Sequence, residues 1–215
     1  MFEKWRGRRG TNKSNYHHQG GRLALRDSKV DYETPVSVNT ILKLINSSMQ
    51  FRQRLYLVGA NISGAMLPYA FLAGARLARA KLNGTNLQGA CMVKAWLFEA
   101  EVKNADLRGA DLSEAVLNGA DLRFAKLNKA KLSGADMEKS DLRGADLTNA
   151  NLNGADMQNA NLEGTDLYGA DLEDANLQQA RYTTVRDTFA LDMDHMPTIW
   201  PEGFDPEAEG CKYVR

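Results

Sequence analysis

The stretch 144–180, GADLTNANLNGADMQNANLEGTDLYGADLEDANLQQA, is one five-residue phrase repeated. A small residue stands at every position divisible by five, and a large apolar residue follows two places later. Read outward, the pattern runs without a break from residue 60 to residue 180. All 25 small positions are Ala except Thr85, Ser140 and Thr165. The large positions run Ile62, Leu67, Leu72, Leu77 and onward to Leu177, with Met92, Val102, Met137 and Met157 as variants. Tyr182 closes the series, and Leu57 allows it to begin one unit earlier.

A period of five fits neither ordinary element. On an α-helix, residues five apart fall about 140° apart and form no stripe. On a flat strand they point to opposite faces. A chain that turns a corner every five residues satisfies the pattern, with each pentapeptide as one side of a square. The large and small residues then point inward, and four units close a twenty-residue coil. The next coil stacks about 4.8 Å above it through backbone hydrogen bonds. Gly lies two places after the large residue in many units, such as Gly74, Gly89, Gly144 and Gly154, where a corner favours a residue without Cβ.

The A-[D/N]-L-x-x units resemble the pentapeptide repeat family over residues 60–182. The resemblance implies an all-β solenoid, a right-handed quadrilateral β-helix of about six coils. Square closure follows from the period; handedness follows from the family. The chain divides into a basic N-terminal segment (1–34) expected to be flexible, an N-terminal helix or cap (35–58), the repeat (59–182) and a C-terminal cap and tail (183–215). Val38, Ile41, Leu42, Ile45 and Met49 fall at helical spacing behind Pro35. Phe189, Leu191, Met193, Met196 and Trp200 are expected to cover the last coil. The tail WPEGFDPEAEG resembles those of cyanobacterial members of the family.

The chain has 215 residues and a net charge of zero, unevenly spread. Residues 1–58 hold 11 Lys/Arg against 4 Asp/Glu, and residues 182–215 hold 3 against 7. The molecule is electrically polar from end to end. No apolar run is long enough to span a bilayer, and the basic N-terminus lacks the apolar stretch of a secretory signal. Two cysteines, Cys91 and Cys211, do not make a disulfide framework. These features point to the cytoplasm.

Nothing in the sequence forms a catalytic constellation, and no cofactor is expected. His17 and His18 lie in the N-terminal segment and His195 in the C-terminal cap. Asp192, Asp194 and His195 supply three donors without a fourth, which fits a polar loop better than a metal site. A lumen packed with Leu and Ala leaves no substrate pocket. The chain is expected not to be an enzyme.

The residue before each large position points outward, and the family pattern asks for Asp or Asn there. All nine units from Asp136 to Asn176 comply. From residue 61 to residue 101 only Asn61 and Asn86 do; the others are Met66, Phe71, Arg76, Lys81, Cys91, Trp96 and Glu101. Residues twenty apart stack, so Phe71 should lie beside Cys91 with Val93 near. Trp96 should lie beside Val116 with Phe98 near. Either a protein partner, including a second copy, or residues 1–58 folded back should cover this apolar surface. The first reading makes the chain a non-catalytic interaction scaffold or assembly factor.

The alternative is a DNA mimic. Some family members resemble B-DNA in size and charge, bind type II topoisomerases and protect them from quinolones. Here the acidic set would be Asp141, Asp146, Asp156, Asp166, Asp171 and Asp174. Against it, the N-terminal coils are basic, and the large inward residue is Leu rather than the Phe of those proteins. Nucleic-acid binding is not expected, although the basic N-terminal tail suits contact with an anionic surface.

Overall fold

The computed structural model describes residues 55–182 and Lys212–Tyr213. The chain winds in a coil that returns to the same side every twenty residues. Parallel bridges link Tyr56 to Arg76, Asn61 to Lys81, Met66 to Asn86 and Phe71 to Cys91, and the series climbs in the same register to Asp156 and Asn176. Four bridged positions per coil define four walls. Two-residue strands at the C-terminal end extend one wall: β1 (Asn161–Leu162), β2 (Arg181–Tyr182) and β3 (Lys212–Tyr213), paired in parallel in that order.

Each wall repeats one set of backbone bonds. The Leu57 N–H donates to the Arg76 carbonyl at 2.7 Å, and the Arg76 N–H donates back to the Leu55 carbonyl at 2.8 Å. The corner N–H of Gly59 reaches the Ala78 carbonyl at 2.9 Å. Within the unit, the Ala60 N–H closes a turn on the Leu57 carbonyl at 3.0 Å. The third turn residue has φ of +67°, as a type II turn requires.

This corner conformation recurs at every fifth residue. Twelve of the corners are glycines and thirteen are not, among them Tyr69, Arg79, Lys94 and Phe124. The preference for Gly is therefore weaker than expected. A left-handed L-residue costs about 1–2 kcal/mol, but the corner N–H groups from Gly59 to Asn159 are held by the coil above, so the stacked neighbours impose the conformation.

Four of the five N–H groups in a unit are thereby bonded to backbone. The fifth belongs to the residue after the large one. In all fourteen described units with Asp or Asn before the large residue, that side chain accepts it, as in Ser113 to Asp111 at 3.1 Å and Gln158 to Asp156 at 3.1 Å. This Asx turn is the physical content of the A-[D/N]-L pattern.

The lumen holds the Leu/Ala core. Leu82, Leu107, Leu122, Leu132 and their equivalents are buried with the alanines, and Leu167 and Tyr182 pack against them partly buried. Three polar side chains enter it. Thr85 donates to the Ile62 carbonyl and Thr165 to the Leu142 carbonyl. The Ser140 hydroxyl is buried without a hydrogen-bond partner.

The repeat includes the earlier unit. Tyr56 is bridged and Leu57 fully buried, so residues 55–58 belong to the coil rather than to the N-terminal helix or cap. The rest of that expected helix, the segment 1–34 and the cap residues Phe189 to Trp200 lie outside the described residues. At the C-terminal end, β3 does what a cap must: it gives the exposed edge of β2 a partner.

Candidate interaction surfaces

Two adjoining walls carry the apolar side chains singled out from the sequence. Phe71 bridges to Cys91, and Trp96 bridges to Val116. Phe71, Cys91, Val93, Trp96, Phe98 and Val116 are all half-buried rather than fully exposed. Part of the reason is on the wall itself. The Arg76 guanidinium lies 4.1 Å from the Trp96 ring centroid and 5.8 Å from that of Tyr56, a cation held between two aromatic rings. Phe71, Trp96 and Phe98 also have partners beyond those named here.

These substitutions remove the Asx acceptor. No acceptor replaces it for the N–H of Ala73, Val93 or Asn118 among the described residues.

The large hydrophobic side chains that stand exposed among the described residues are Met66, Tyr69 and Phe124, at 68%, 70% and 60%. Tyr69 and Phe124 are corner residues. Each ring lies over the glycine twenty residues on: a Cβ on Gly89 would come within 2.7 Å of the Tyr69 ring, and one on Gly144 within 2.6 Å of Phe124. Attention to the position before the large residue missed both. The available signal was an aromatic in a corner position otherwise filled mostly by Gly, Lys, Asn and Glu.

Charged side chains form a ladder up a third wall. Lys103 and Arg123 both contact Asp121, at 3.1 Å and 2.9 Å. Arg123 also reaches Asp141 at 3.6 Å, and Arg143 binds Asp141 at 2.7 Å. Burial raises the Asp121 and Asp141 carboxyls, but hydrogen bonds from Arg123, Lys103 and Arg143 outweigh it and hold both below the ordinary value. The hydrogen bond from Arg108 does the same for Asp106. Asp136 goes the other way. Burial beside Val116 pushes its carboxyl up, against the bonds donated by the Glu138 backbone and by Asn118.

The family model described as pentapeptide repeats matches in eight copies over residues 56–92, 105–144 and 140–179, more than half of the chain. The chain belongs to the pentapeptide repeat family. Among solved structures it is similar to HetL, a pentapeptide repeat protein involved in heterocyst differentiation regulation in the cyanobacterium Nostoc sp. strain PCC 7120. The identity is 24% over 82% of this chain and 94% of that one, with a TM-score of 0.49. A pentapeptide repeat protein from the Arabidopsis thaliana thylakoid lumen is 35% identical over 45% of this chain and 67% of that one, with a TM-score of 0.44. QnrB1, a plasmid-mediated fluoroquinolone resistance protein, is 16% identical over 75% of this chain and 80% of that one, with a TM-score of 0.46. No curated protein matches the sequence.

For a pentapeptide repeat protein, wall membership follows from the twenty-residue register. It separates the acidic set of the DNA-mimic alternative, Asp141, Asp146, Asp156, Asp166, Asp171 and Asp174. Asp141 stacks on Asp121, Asp146 on Asp166, Asp171 on Asn151 and Asp156 on Asn176, which puts them on four different walls. Asp174 is a corner residue. They form a ring around the C-terminal coils rather than one acidic face, and Arg143 and Arg123 partly neutralise Asp141. Among the described residues no group of acidic, His or Cys side chains could hold a metal ion, and no helix is long and apolar enough to cross a membrane. Asp192, Asp194 and His195 lie outside the described residues.

Proposed function

We propose that this chain is a non-catalytic protein–protein interaction scaffold. It is a right-handed quadrilateral tube of about six coils, whose rigid wall presents an apolar face to a protein partner. The contact face comprises Phe71, Cys91 and Val93 on one wall and Trp96, Phe98 and Val116 on the next.

One observation carries the reading. Every described unit with Asp or Asn seals its fifth N–H, and the units on this face give that bond up at Ala73, Val93 and Asn118. Each forgone bond is worth about 0.5–1.5 kcal/mol, so the tube alone gains nothing from Phe71, Cys91 or Val116 in place of Asp. Large aromatic side chains at such a place are common anchors of protein interfaces.

The test compares wild type with Trp96→Asn/Phe71→Asn, each tagged and used to capture partners from the native host. Loss of a specific partner by a variant with unchanged circular dichroism supports the reading. A partner retained undiminished by the variant sinks it.

A further inference from the structure

One wall carries its charge in an order that the other three lack. It is the wall of Tyr56, Arg76, Trp96, Val116, Asp136 and Asp156, bridged in that sequence. Its second outward column holds Ala78, Phe98, Asn118 and Glu138. The cation lies below an uncharged middle, and the acids lie above it. On the wall that begins at Asn61, by contrast, Lys103, Arg123 and Arg143 alternate with Asp121 and Asp141 and contact them.

These charges are largely unmatched within the chain. Among the described residues Arg76, Asp136 and Asp156 make no ion pair, whereas Glu138 is paired with Lys139. The Arg76 guanidinium lies between the rings of Tyr56 and Trp96. The Asp136 carboxylate accepts from Asn118 and from the Glu138 N–H, and that of Asp156 from Asn176 and the Gln158 N–H. Burial opposes the charge on Asp136, and an apposed guanidinium would offset that cost. Arg76 cannot supply it within one chain, because three steps of about 4.8 Å separate the two positions.

We propose that this wall pairs with the same wall of a second copy, the two tubes running antiparallel about a two-fold axis between the rungs of Trp96 and Val116. The proposal rests on the apolar contact face described above and names its occupant. In an isologous contact, residue i meets residue j and j meets i. Arg76 of each copy therefore meets Asp136 of the other. Trp96 meets Val116, and the Tyr56 hydroxyl is placed to donate to Asp156.

Other placements match less well. An axis through the Val116 rung sets Asp136 against Trp96. An axis through the Trp96 rung leaves Arg76 against Val116. Parallel tubes set Asp136 against Glu138 at one height, and like charges so placed cost affinity. At the edges of the antiparallel contact Lys94 meets Glu114. Arg79 and Lys139 face each other there with their own carboxylates, Glu99 and Glu138, beside them. Trp96 and Phe98 have partners beyond those named, and the order of charge, not their exposure, selects a second copy.

The test is sedimentation equilibrium of the full chain over a concentration series. Wild type should show a reversible monomer–dimer equilibrium. Arg76→Glu and Asp136→Arg each set like charges against one another twice across the axis, and each should weaken self-association about tenfold or more. Mixed in equal amounts, the two variants should form a heterodimer close to wild type in affinity, because each copy supplies the charge the other lacks. Circular dichroism checks that each variant is folded. If a reversal unfolds the chain, Arg76→Gln and Asp136→Asn replace it, and their losses should be non-additive. Three results would overturn the proposal: a wild type that stays monomeric, single variants that associate undiminished, or a mixture that does not restore dimers. A monomeric wild type whose host partner is lost by Trp96→Asn/Phe71→Asn overturns the dimer and leaves the scaffold reading standing. A monomeric wild type whose partner is retained by that variant overturns both.

Discussion

The Arg76 guanidinium and the Trp96 indole are twenty residues apart in sequence and 4.1 Å apart in space, one stacked on the other along a wall of the tube. The pair shows how this wall is built: each outward residue is bridged to the one a coil away. Trp96→Asn removes a cation–π contact worth about 0.5–1 kcal/mol at an exposed site. It also puts at position 96 the Asn that the A-[D/N]-L pattern carries there. The two changes nearly cancel, so the melting temperature should stay within a few degrees of wild type. A much larger fall would mean that Trp96 seats another part of this chain, and the partner surface would have to be sought elsewhere.

Leu122 lies in the lumen at mid-tube and is fully buried. Leu122→Asp places a carboxylate in the buried apolar lumen, at a cost of several kcal/mol. Because adjacent coils share one core, loss should be cooperative across the tube rather than local. The expected result is an unfolded or insoluble chain by circular dichroism. A soluble variant with native melting temperature would mean that this register is mistaken.

Ser140 takes the place of an Ala in the lumen, and its hydroxyl has no hydrogen-bond partner. Thr85 and Thr165 stand at equivalent positions but donate to carbonyls a coil below. Ser140→Ala should therefore stabilise the protein by about 1 kcal/mol, whereas Thr85→Ala should not. Chemical denaturation of the two variants checks this, and equal shifts would contradict it.

The square coil, its register and its inward residues were legible because one spacing encodes all three. Position 60 and each fifth residue after it had to be small, and Leu, Ile, Met or Val had to follow, for four walls to close. The stacking of Phe71 on Cys91 and of Trp96 on Val116 follows from the same register. What the period hides is whatever depends on side-chain reach. That Trp96 would be half-buried against Arg76, or that Tyr69 would lie flat on Gly89, is set by rotamers and by which corner lacks a Cβ. The separation of the acidic residues, by contrast, follows from the period. Asp146 and Asp156 are close in sequence yet on different walls, because ten residues carry the chain halfway round the coil.

Asp136 and Asp141 should respond oppositely to pH. Burial raises the folded carboxyl of Asp136 above its ordinary 3.8, so the folded state binds that proton more tightly than the unfolded one. Its contribution is fully present below the ordinary value and is lost as pH rises through the raised one. Asp136→Asn keeps an acceptor for the Glu138 N–H and should raise stability at neutral pH, with the gain fading in acid. Asp141 is held below 3.8 by Arg143, after burial is outweighed, so its contribution is present above that value and lost as pH falls through the lowered one. Asp141→Asn should lower stability at neutral pH and converge on wild type in acid. Thermal melts across pH for both variants test the pair, and parallel curves would refute the assignment.

Gly144 meets two demands at once. Its φ is +65°, and the Phe124 ring occupies the space a Cβ would need, within 2.6 Å. The first demand alone is modest, since Lys129 and Lys139 hold similar corners with φ near +59°. Gly144→Ala should therefore cost about 1 kcal/mol for the backbone plus whatever displaces the ring. Phe124→Ser removes the ring, and in that background the alanine should cost only the backbone share. The difference between the two costs is the coupling between residues 124 and 144, expected to be about 0.5–3 kcal/mol for groups in contact. Denaturant titration of the four proteins measures it. Gly154→Ala, at a corner where a Cβ would meet nothing within 4 Å, is the reference. If Gly144→Ala and Gly154→Ala cost the same in the presence of Phe124, the aromatic ring is not packed on residue 144.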